Sequence, residues 1–144
     1  MKNRTGFTMI EMLFALSIIA IIIALGLVSY SKALIKSRDS TRKTDLESIS
    51  NALEQYKSHN EFGSYPSSIY KNLEFEKYMT SVPTPYPAGY NPIPVDPQTK
   101  KEYFYEPLPA GCEPSFDTSC ISYTLETTLE KDSQFYTINP YGEQ

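Results

Sequence analysis

The feature that most constrains this chain is a long apolar run close to its N-terminus. From Phe7 to Tyr30 the sequence reads FTMIEMLFALSIIAIIIALGLVSY, and Glu11 is the only charged residue in it. The part after that charge, from Met12 onward, has 19 residues. This is close to the ~20 residues that a helix needs to cross the hydrocarbon core of a bilayer. The run therefore predicts a membrane-spanning helix.

The residues that flank the run indicate its orientation. Lys2 and Arg4 lie in a six-residue leader, MKNRTG, before the run. A long chain follows the run, with Lys32 close to its start. A short cationic N-terminus before a long remainder favours an N-terminus inside and a C-terminus outside. The expected localisation is the cytoplasmic (inner) membrane, crossed once, with the C-terminal head outside.

Two ordinary explanations of the run leave Glu11 unexplained. A secretory signal peptide has an apolar core of only ~7–15 residues, although Ala24-Leu25-Gly26 offers a cleavage site. A plain signal anchor has a suitable length, but a carboxylate within the apolar run costs roughly 3 kcal/mol of insertion free energy. Glu11 is therefore expected to have a role of its own.

The eight residues GFTMIEML, at positions 6–13, resemble the cleavage and methylation motif of type IV prepilins and type II secretion pseudopilins. The resemblance implies that prepilin peptidase cuts between Gly6 and Phe7 on the cytoplasmic face and methylates the new amino group of Phe7. It also implies that Glu11 pairs with the Phe7 amine of a neighbouring subunit. A carboxylate in hydrocarbon is tolerated when a cation meets it, which agrees with this role.

The segment after the apolar run predicts that the helix continues into water. No proline occurs between Phe7 and Asn60. Apolar residues recur at spacings of three and four, which is typical of one buried helix face, and they are Leu46, Ile49, Leu53 and Tyr56. The residues from Asn60 to Gly63 predict the end of the helix, because Gly favours a helix C-terminus.

The charged residues are unevenly distributed along the chain. The chain has 13 basic and 17 acidic side chains. Such an acidic chain is expected to be a poor general binder of nucleic acid, because neutralising phosphates requires a basic face. The basic residues cluster after the apolar run, where Asp39 is the only acid among Lys32, Lys36, Arg38, Arg42 and Lys43. This cluster is expected to be a solvated helix face next to lipid headgroups. A DNA-uptake role would rest on it alone.

The chain beyond the helix predicts a small head. Seven of the 11 prolines lie in residues 66–97, a density that excludes a long helix and indicates ordered loop. A short helical piece is expected from Leu73 to Met79. Alternation then predicts three antiparallel strands, Tyr103–Leu108, Ile121–Leu129 and Gln134–Ile138, with Ile121, Tyr123 and Leu125 on one face.

The expected fold class is α+β, a type IV pilin-like fold in which a long N-terminal helix packs on a small antiparallel sheet. The expected divisions are a leader at 1–6, the membrane and assembly half of the helix at 7–30, its amphipathic half at 31–60, a proline-rich loop region at 61–101, and strands with a disulfide loop at 102–144.

The chain has two cysteines, Cys112 and Cys120. In an exported chain such a pair favours one disulfide, whereas a cytosolic chain would hold free thiols. Some pseudopilins bind calcium near their strands, and this resemblance makes Asp96, Glu113 and Asp117 minor candidates as oxygen donors. No cofactor is otherwise expected. With one histidine and no phosphate loop or zinc signature, no catalytic residue is expected and the chain is not predicted to be an enzyme.

The resemblance implies a structural role as a filament subunit of a type IV pilus or a type II secretion pseudopilus. The implied partners are prepilin peptidase, other pilin or pseudopilin subunits, and an inner-membrane assembly platform. Asp96-Pro97 followed by Tyr103-Phe104-Tyr105 resembles the pseudopilin branch. The alternatives are a single-pass membrane-anchored extracytoplasmic binding module and a minor pilin with a role in adhesion or DNA uptake.

Overall fold

The computed structural model describes residues 6–79, 92–115 and 117–143. It contains the helices α1 (Met9–His59) and α2 (Leu73–Glu76) and the strands β1 (Phe104–Leu108), β2 (Ser122–Thr128), β3 (Phe135–Asn139) and β4 (Gly142–Glu143). The fold is the predicted α+β, pilin-like architecture of a long N-terminal helix followed by a small antiparallel sheet. Residues 1–5 of the predicted leader and residues 80–91 of the predicted proline-rich loop lie outside the described residues. The chain divides into two compact units, Met1–Lys36 and Ser37–Gln144.

The first unit contains the N-terminal part of α1. Every side chain from Gly6 to Gly26 is exposed, including Met9 at 91% and Leu25 at 70%. A continuous apolar surface of this kind suits lipid or neighbouring helices rather than water. The most apolar 18-residue window of α1 has a mean hydropathy of 2.8, so the helix is long and apolar enough to cross a membrane.

In the second unit α1 contributes one buried face. Leu46, Ile49, Leu53 and Tyr56, the residues that the spacing predicted, are each at most 4% exposed. The other members of the core are Ala52, Tyr65, Ile69, Phe75, Met79, Ile93, Tyr103, Cys112, Cys120, Tyr123, Leu125, Tyr136 and Ile138. The predicted continuation of the helix as an amphipathic element is therefore confirmed.

The tyrosines of this core join the helix to the sheet. The hydroxyl of Tyr103 donates to Oδ2 of Asp45 at 2.7 Å. The hydroxyl of Tyr123 lies 2.8 Å from the hydroxyl of Ser50. Because a buried tyrosine needs a partner for its polar end, these bonds satisfy the hydroxyls of Tyr103 and Tyr123 within the core.

The end of α1 is formed by Asn60 and Gly63. The side-chain Oδ1 of Asn60 accepts hydrogen bonds from the backbone N–H groups of Phe62 at 2.9 Å and Ser64 at 3.3 Å. Gly63 has a φ of +59°, a left-handed conformation that glycine adopts without a steric penalty. The predicted stop after His59 is thus confirmed, with the side chain of Asn60 as its main contributor.

The four strands form one antiparallel meander in the order β1-β2-β3-β4. The three predicted strands are present, each within one residue of its expected ends. β4, with two residues, is too short to show alternation in the sequence. Tyr123 and Leu125 of β2 are fully buried, as predicted. The prediction was wrong for Ile121, which is 70% exposed, because β2 begins at Ser122 and the alternation does not reach it.

Both edges of the sheet are poor templates for a further strand. In β1, Pro107 has no N–H to donate. The N–H of Tyr103, just ahead of β1, donates to the hydroxyl of Tyr70 at 2.7 Å, and the hydroxyl of Tyr105 donates to the carbonyl of Pro66 at 2.6 Å. The residues from Pro66 to Tyr70 therefore lie along β1, and the opposite edge strand, β4, is very short. Such edges resist strand-to-strand association.

Candidate functional site

Thr8 and Glu11 form a capping box at the start of α1. Oε2 of Glu11 accepts hydrogen bonds from the backbone N–H and from the hydroxyl of Thr8, both at 2.8 Å. The Thr8 hydroxyl oxygen in turn accepts from the backbone N–H of Glu11 at 3.3 Å. The box satisfies N–H groups that have no partner within a helix. The sequence analysis did not identify this box, although its Thr-x-x-Glu pattern was present in the motif.

The geometry of the box separates the two oxygens of the Glu11 carboxylate. Both bonds from Thr8 end on Oε2, so Oε1 can still accept a donor from outside the chain. Gly6 and Phe7, the predicted cleavage pair, lie just ahead of α1. Phe7 is 83% exposed, and a Cβ added to Gly6 would meet no atom within 4 Å. The bond between Gly6 and Phe7 is therefore accessible within this unit.

A group of interacting charged side chains, which the sequence analysis missed, lies in the second unit around a buried guanidinium. Arg42 is 2% exposed and contacts three carboxylates. Its Nε donates to Asp96 at 2.6 Å, its Nη1 donates to Asp39 at 2.7 Å, and Nη1 lies 2.6 Å from Glu130. Arg38 binds both oxygens of Glu130, at 2.8 and 2.6 Å. These five residues are called the charge cluster below.

Backbone N–H groups complete the charge cluster. Asp39 accepts from the N–H groups of Glu130 at 2.8 Å and Lys131 at 3.0 Å. Asp96 accepts from the N–H groups of Gln98 at 2.9 Å and Thr99 at 2.6 Å. The cluster thereby ties the α1 helix to the turn that follows Asp96 and to the turn between β2 and β3.

The charge cluster corrects the expectation that the basic residues of α1 form a solvated face. That expectation was wrong for Arg42 and Arg38, because Asp39 and Arg42 continue the three-and-four spacing of the buried face toward the N-terminus. Their partners Asp96 and Glu130 are far away in sequence, and Asp96 lies 54 positions after Arg42. Local charge counting cannot detect such pairs. Lys43 remains exposed, with its ammonium 4.7 Å from the ring centre of Tyr136.

The carboxyl groups of the charge cluster are held in their ionised form. Burial alone would raise the pKa of Asp39, but hydrogen bonds from the Glu130 and Lys131 N–H groups and from Arg42 outweigh it and lower that pKa. Burial is likewise outweighed at Asp96, where Arg42 and the Thr99 and Gln98 N–H groups lower the pKa well below its usual value. The hydrogen bond from Arg38 lowers the pKa of Glu130.

The structure joins Cys112 and Cys120 in a disulfide, as expected for an exported chain. The three calcium candidates do not share one site in it. Asp96 belongs to the charge cluster, whereas Glu113 and Asp117 are exposed in the disulfide loop. Within residues 6–79, 92–115 and 117–143, no three His, Cys, Asp or Glu side chains are arranged to hold a metal ion.

Comparisons with known proteins bear on the N-terminal segment. No significant match was found among curated proteins or among solved structures. The family model described as the prokaryotic N-terminal methylation motif matches residues 1–27. This range contains the capping box, the bond between Gly6 and Phe7, and most of the apolar run. Residues 1–27 thus carry the prepilin signature of type IV pilins and pseudopilins.

Proposed function

We propose that this protein is a structural subunit of a type IV pilus-like or type II secretion-like pseudopilus filament, without a catalytic site. One observation carries the proposal: the methylation motif coincides with a helix of membrane-spanning length whose first turn holds a single carboxylate, Glu11. In this proposal prepilin peptidase cuts between Gly6 and Phe7, and the new amino group of Phe7 is methylated. The apolar part of α1 then packs against the same part of other subunits.

Glu11 has two roles in this proposal, one for each oxygen. Oε2 keeps its bonds to Thr8 and caps the helix, while Oε1 accepts the Phe7 amine of a neighbouring subunit. An ion pair among apolar helices is strong because the local dielectric constant is low, and it fixes the axial register of the two chains. The capping box supports this arrangement because it holds the carboxylate in one orientation before a neighbour arrives.

The second unit suits a head that lies outside the cell membrane. A disulfide such as Cys112–Cys120 persists in oxidising compartments. The poor edges of the sheet favour assembly through α1 over assembly by strand addition. In the proposed setting the subunit crosses the inner membrane once, its head is extracytoplasmic, and its partners are the peptidase, other pilin or pseudopilin subunits and an inner-membrane assembly platform.

The first experiment is to determine the N-terminal residue and the mass of the protein from membranes of cells with and without prepilin peptidase. The proposal predicts a chain that begins at N-methylated Phe7 only when the peptidase is present. A chain that still begins at Met1 would favour the alternative, a membrane-anchored binding module. A chain that begins near Gly26 would indicate a signal peptide, and either result would overturn the filament proposal.

Substitutions at Glu11 separate pairing from capping. Glu11→Gln keeps an acceptor oxygen for the Thr8 hydrogen bonds but removes the negative charge that the amine requires. Glu11→Ala removes both. We expect both variants to be cut and methylated nearly as well as the wild type, and both to yield few sheared filaments. Normal filaments from Glu11→Gln would refute the pairing role while leaving cleavage untouched, and Gly6→Val serves as the control that blocks cleavage.

A further inference from the structure

The second unit begins with nine residues that carry no apolar side chain. These are residues 37–45 of α1, with the sequence SRDSTRKTD. In this unit the buried apolar residues of α1 begin only at Leu46. Residues 37–45, called the polar segment below, are therefore held to the rest of the unit by polar and charged groups.

The polar segment is bound by ion pairs and hydrogen bonds, because Arg38, Asp39 and Arg42 belong to the charge cluster. In addition, Oδ2 of Asp45 accepts the hydroxyl of Tyr103 at 2.7 Å. Charges that separate from a buried pair regain their hydration, which offsets much of the lost attraction. Apolar residues gain nothing of this kind when they are exposed to water. The polar segment should therefore detach at a lower cost in free energy than the apolar part of α1 in the same unit.

Both turns that the charge cluster holds contain a strained residue. Lys100 has a φ of 58° in the turn that follows Asp96, and Ser133 has a φ of 52° in the turn between β2 and β3. Both side chains are exposed, and a residue with a Cβ is strained at such angles whereas Gly is not. The carboxylates of the cluster accept hydrogen bonds from N–H groups of the same two turns. Strained backbone persists where surrounding contacts hold it, and it is typical of elements that switch.

We propose that the charge cluster opens as one unit, which releases the polar segment and both turns while the apolar core of the second unit stays folded. The ion pairs and backbone hydrogen bonds favour the closed form, whereas relief of strain and hydration of the freed charges favour the open form. Opening detaches about 13 Å of helix, at ~1.5 Å per residue. The subunit can thus release part of its helix during assembly without unfolding, and this use rests on the proposed function.

Hydrogen exchange of the full-length chain in detergent tests the opening. The reporters are the backbone N–H groups that donate to Asp39 and Asp96, which are those of Gln98, Thr99, Glu130 and Lys131. We expect these four groups to be protected to a similar degree, and less than the hydrogen-bonded N–H groups within β2. Equal protection of the reporters and of β2 would mean that the cluster opens only when the whole unit unfolds, and it would overturn the proposal.

Glycine variants test whether the two turns open together. Lys100→Gly relieves strain in its own turn and favours the closed form, so it should also slow exchange at Glu130 and Lys131, by roughly threefold. Ser133→Gly should slow exchange in the other turn by a similar factor. Lys71→Gly, at an exposed residue with a φ of 61° outside the charge cluster, is the matched control and should leave all four reporters unchanged. An effect confined to the turn that carries the substitution would overturn the proposal.

The use of the opening in assembly is tested with both glycines in one chain. Lys100→Gly combined with Ser133→Gly should lower the yield of sheared filaments by roughly fivefold, whereas Lys71→Gly should not. A normal yield from the double variant would overturn this use. Hydrogen exchange is measured on unassembled chains, so a failure there leaves the proposed function untouched, and a wild-type chain that forms no filaments would overturn the proposed function alone.

Discussion

Replacing Arg42 by alanine removes the guanidinium that contacts all three carboxylates of the charge cluster. Asp39, Asp96 and Glu130 then remain in a site where their side chains are only 11–17% exposed. Removing one partner of a buried ion pair costs about 3–5 kcal/mol, because the remaining charge is desolvated and uncompensated. The three carboxylates keep some access to water and their backbone hydrogen bonds, so we expect a loss of about 3–4 kcal/mol.

The loss is measured by thermal unfolding of the full-length chain in detergent. The 12 tyrosines provide a near-UV circular dichroism signal in a protein without tryptophan. For a folded unit of the size of the second unit, a loss of 1 kcal/mol in the free energy of unfolding lowers Tm by about 4 °C. Arg42→Ala should therefore lower Tm by about 12–16 °C. Arg42→Lys should be intermediate, because an ammonium lacks the planar fork that meets several carboxylates. Lys131→Ala is the surface control and should change stability by less than about 0.5 kcal/mol.

The pH dependence gives an independent check. Folding lowers the pKa of all three carboxyl groups in the wild-type protein. Their contribution to stability is therefore present above the unfolded pKa of about 4 and is lost as the pH falls through the lower folded values. Without Arg42 the buried carboxyls favour the protonated form. The difference in the free energy of unfolding between the wild type and Arg42→Ala should therefore become smaller from pH 7 to pH 4. A loss below about 1 kcal/mol, or a gap that does not narrow, would refute this account.

Three further predictions concern the second unit. Gly63→Ala should cost about 1 kcal/mol in urea unfolding, because the left-handed φ of +59° strains a residue with a Cβ that would gain no contact within 4 Å; an unchanged midpoint would contradict this. Replacing both Cys112 and Cys120 by serine should cost at least about 2–3 kcal/mol, since the short loop then no longer restricts the unfolded chain, and a smaller loss would show that the loop is not constrained in this way. Calcium or a chelator should leave Tm unchanged, because the oxygens of Asp96 bind Arg42 and backbone N–H groups; a Tm that rises with calcium would restore the metal site as a candidate.

Features that depend on neighbouring residues could be predicted from the sequence. The buried face of α1 follows from a spacing of three and four at Leu46, Ile49, Leu53 and Tyr56. The end of α1 follows from Asn60 and Gly63, and the three longer strands follow from alternation within them. The N-terminal motif is also local, so its matched residues could be recognised without any tertiary contact.

Features that depend on distant residues could not be predicted in this way. A scan of local charge treats Arg42 as one of several exposed cations, because the acids that bind it are contributed by loops far along the chain. The burial of Asp39 could not be predicted from its neighbours in the sequence either, because the N–H groups that bind it belong to Glu130 and Lys131. The capping box is different, since Thr8 and Glu11 are three residues apart and the pattern was readable. The role implied for Glu11 was a pairing with another chain, and this did not include a partner within its own helix.

The capping box has a consequence for the subunit before it meets any neighbour. The box leaves fewer bare N–H groups at the start of α1, because those of Thr8 and Glu11 have acceptors. In lipid each unsatisfied N–H would cost several kcal/mol, by the order of magnitude for unsatisfied polar groups. Because Thr8 and Glu11 provide these acceptors within the single chain, a solitary chain in a bilayer would need no neighbour to satisfy these two N–H groups. If the chain is the filament subunit proposed above, its synthesis and its polymerisation can then be separated in time.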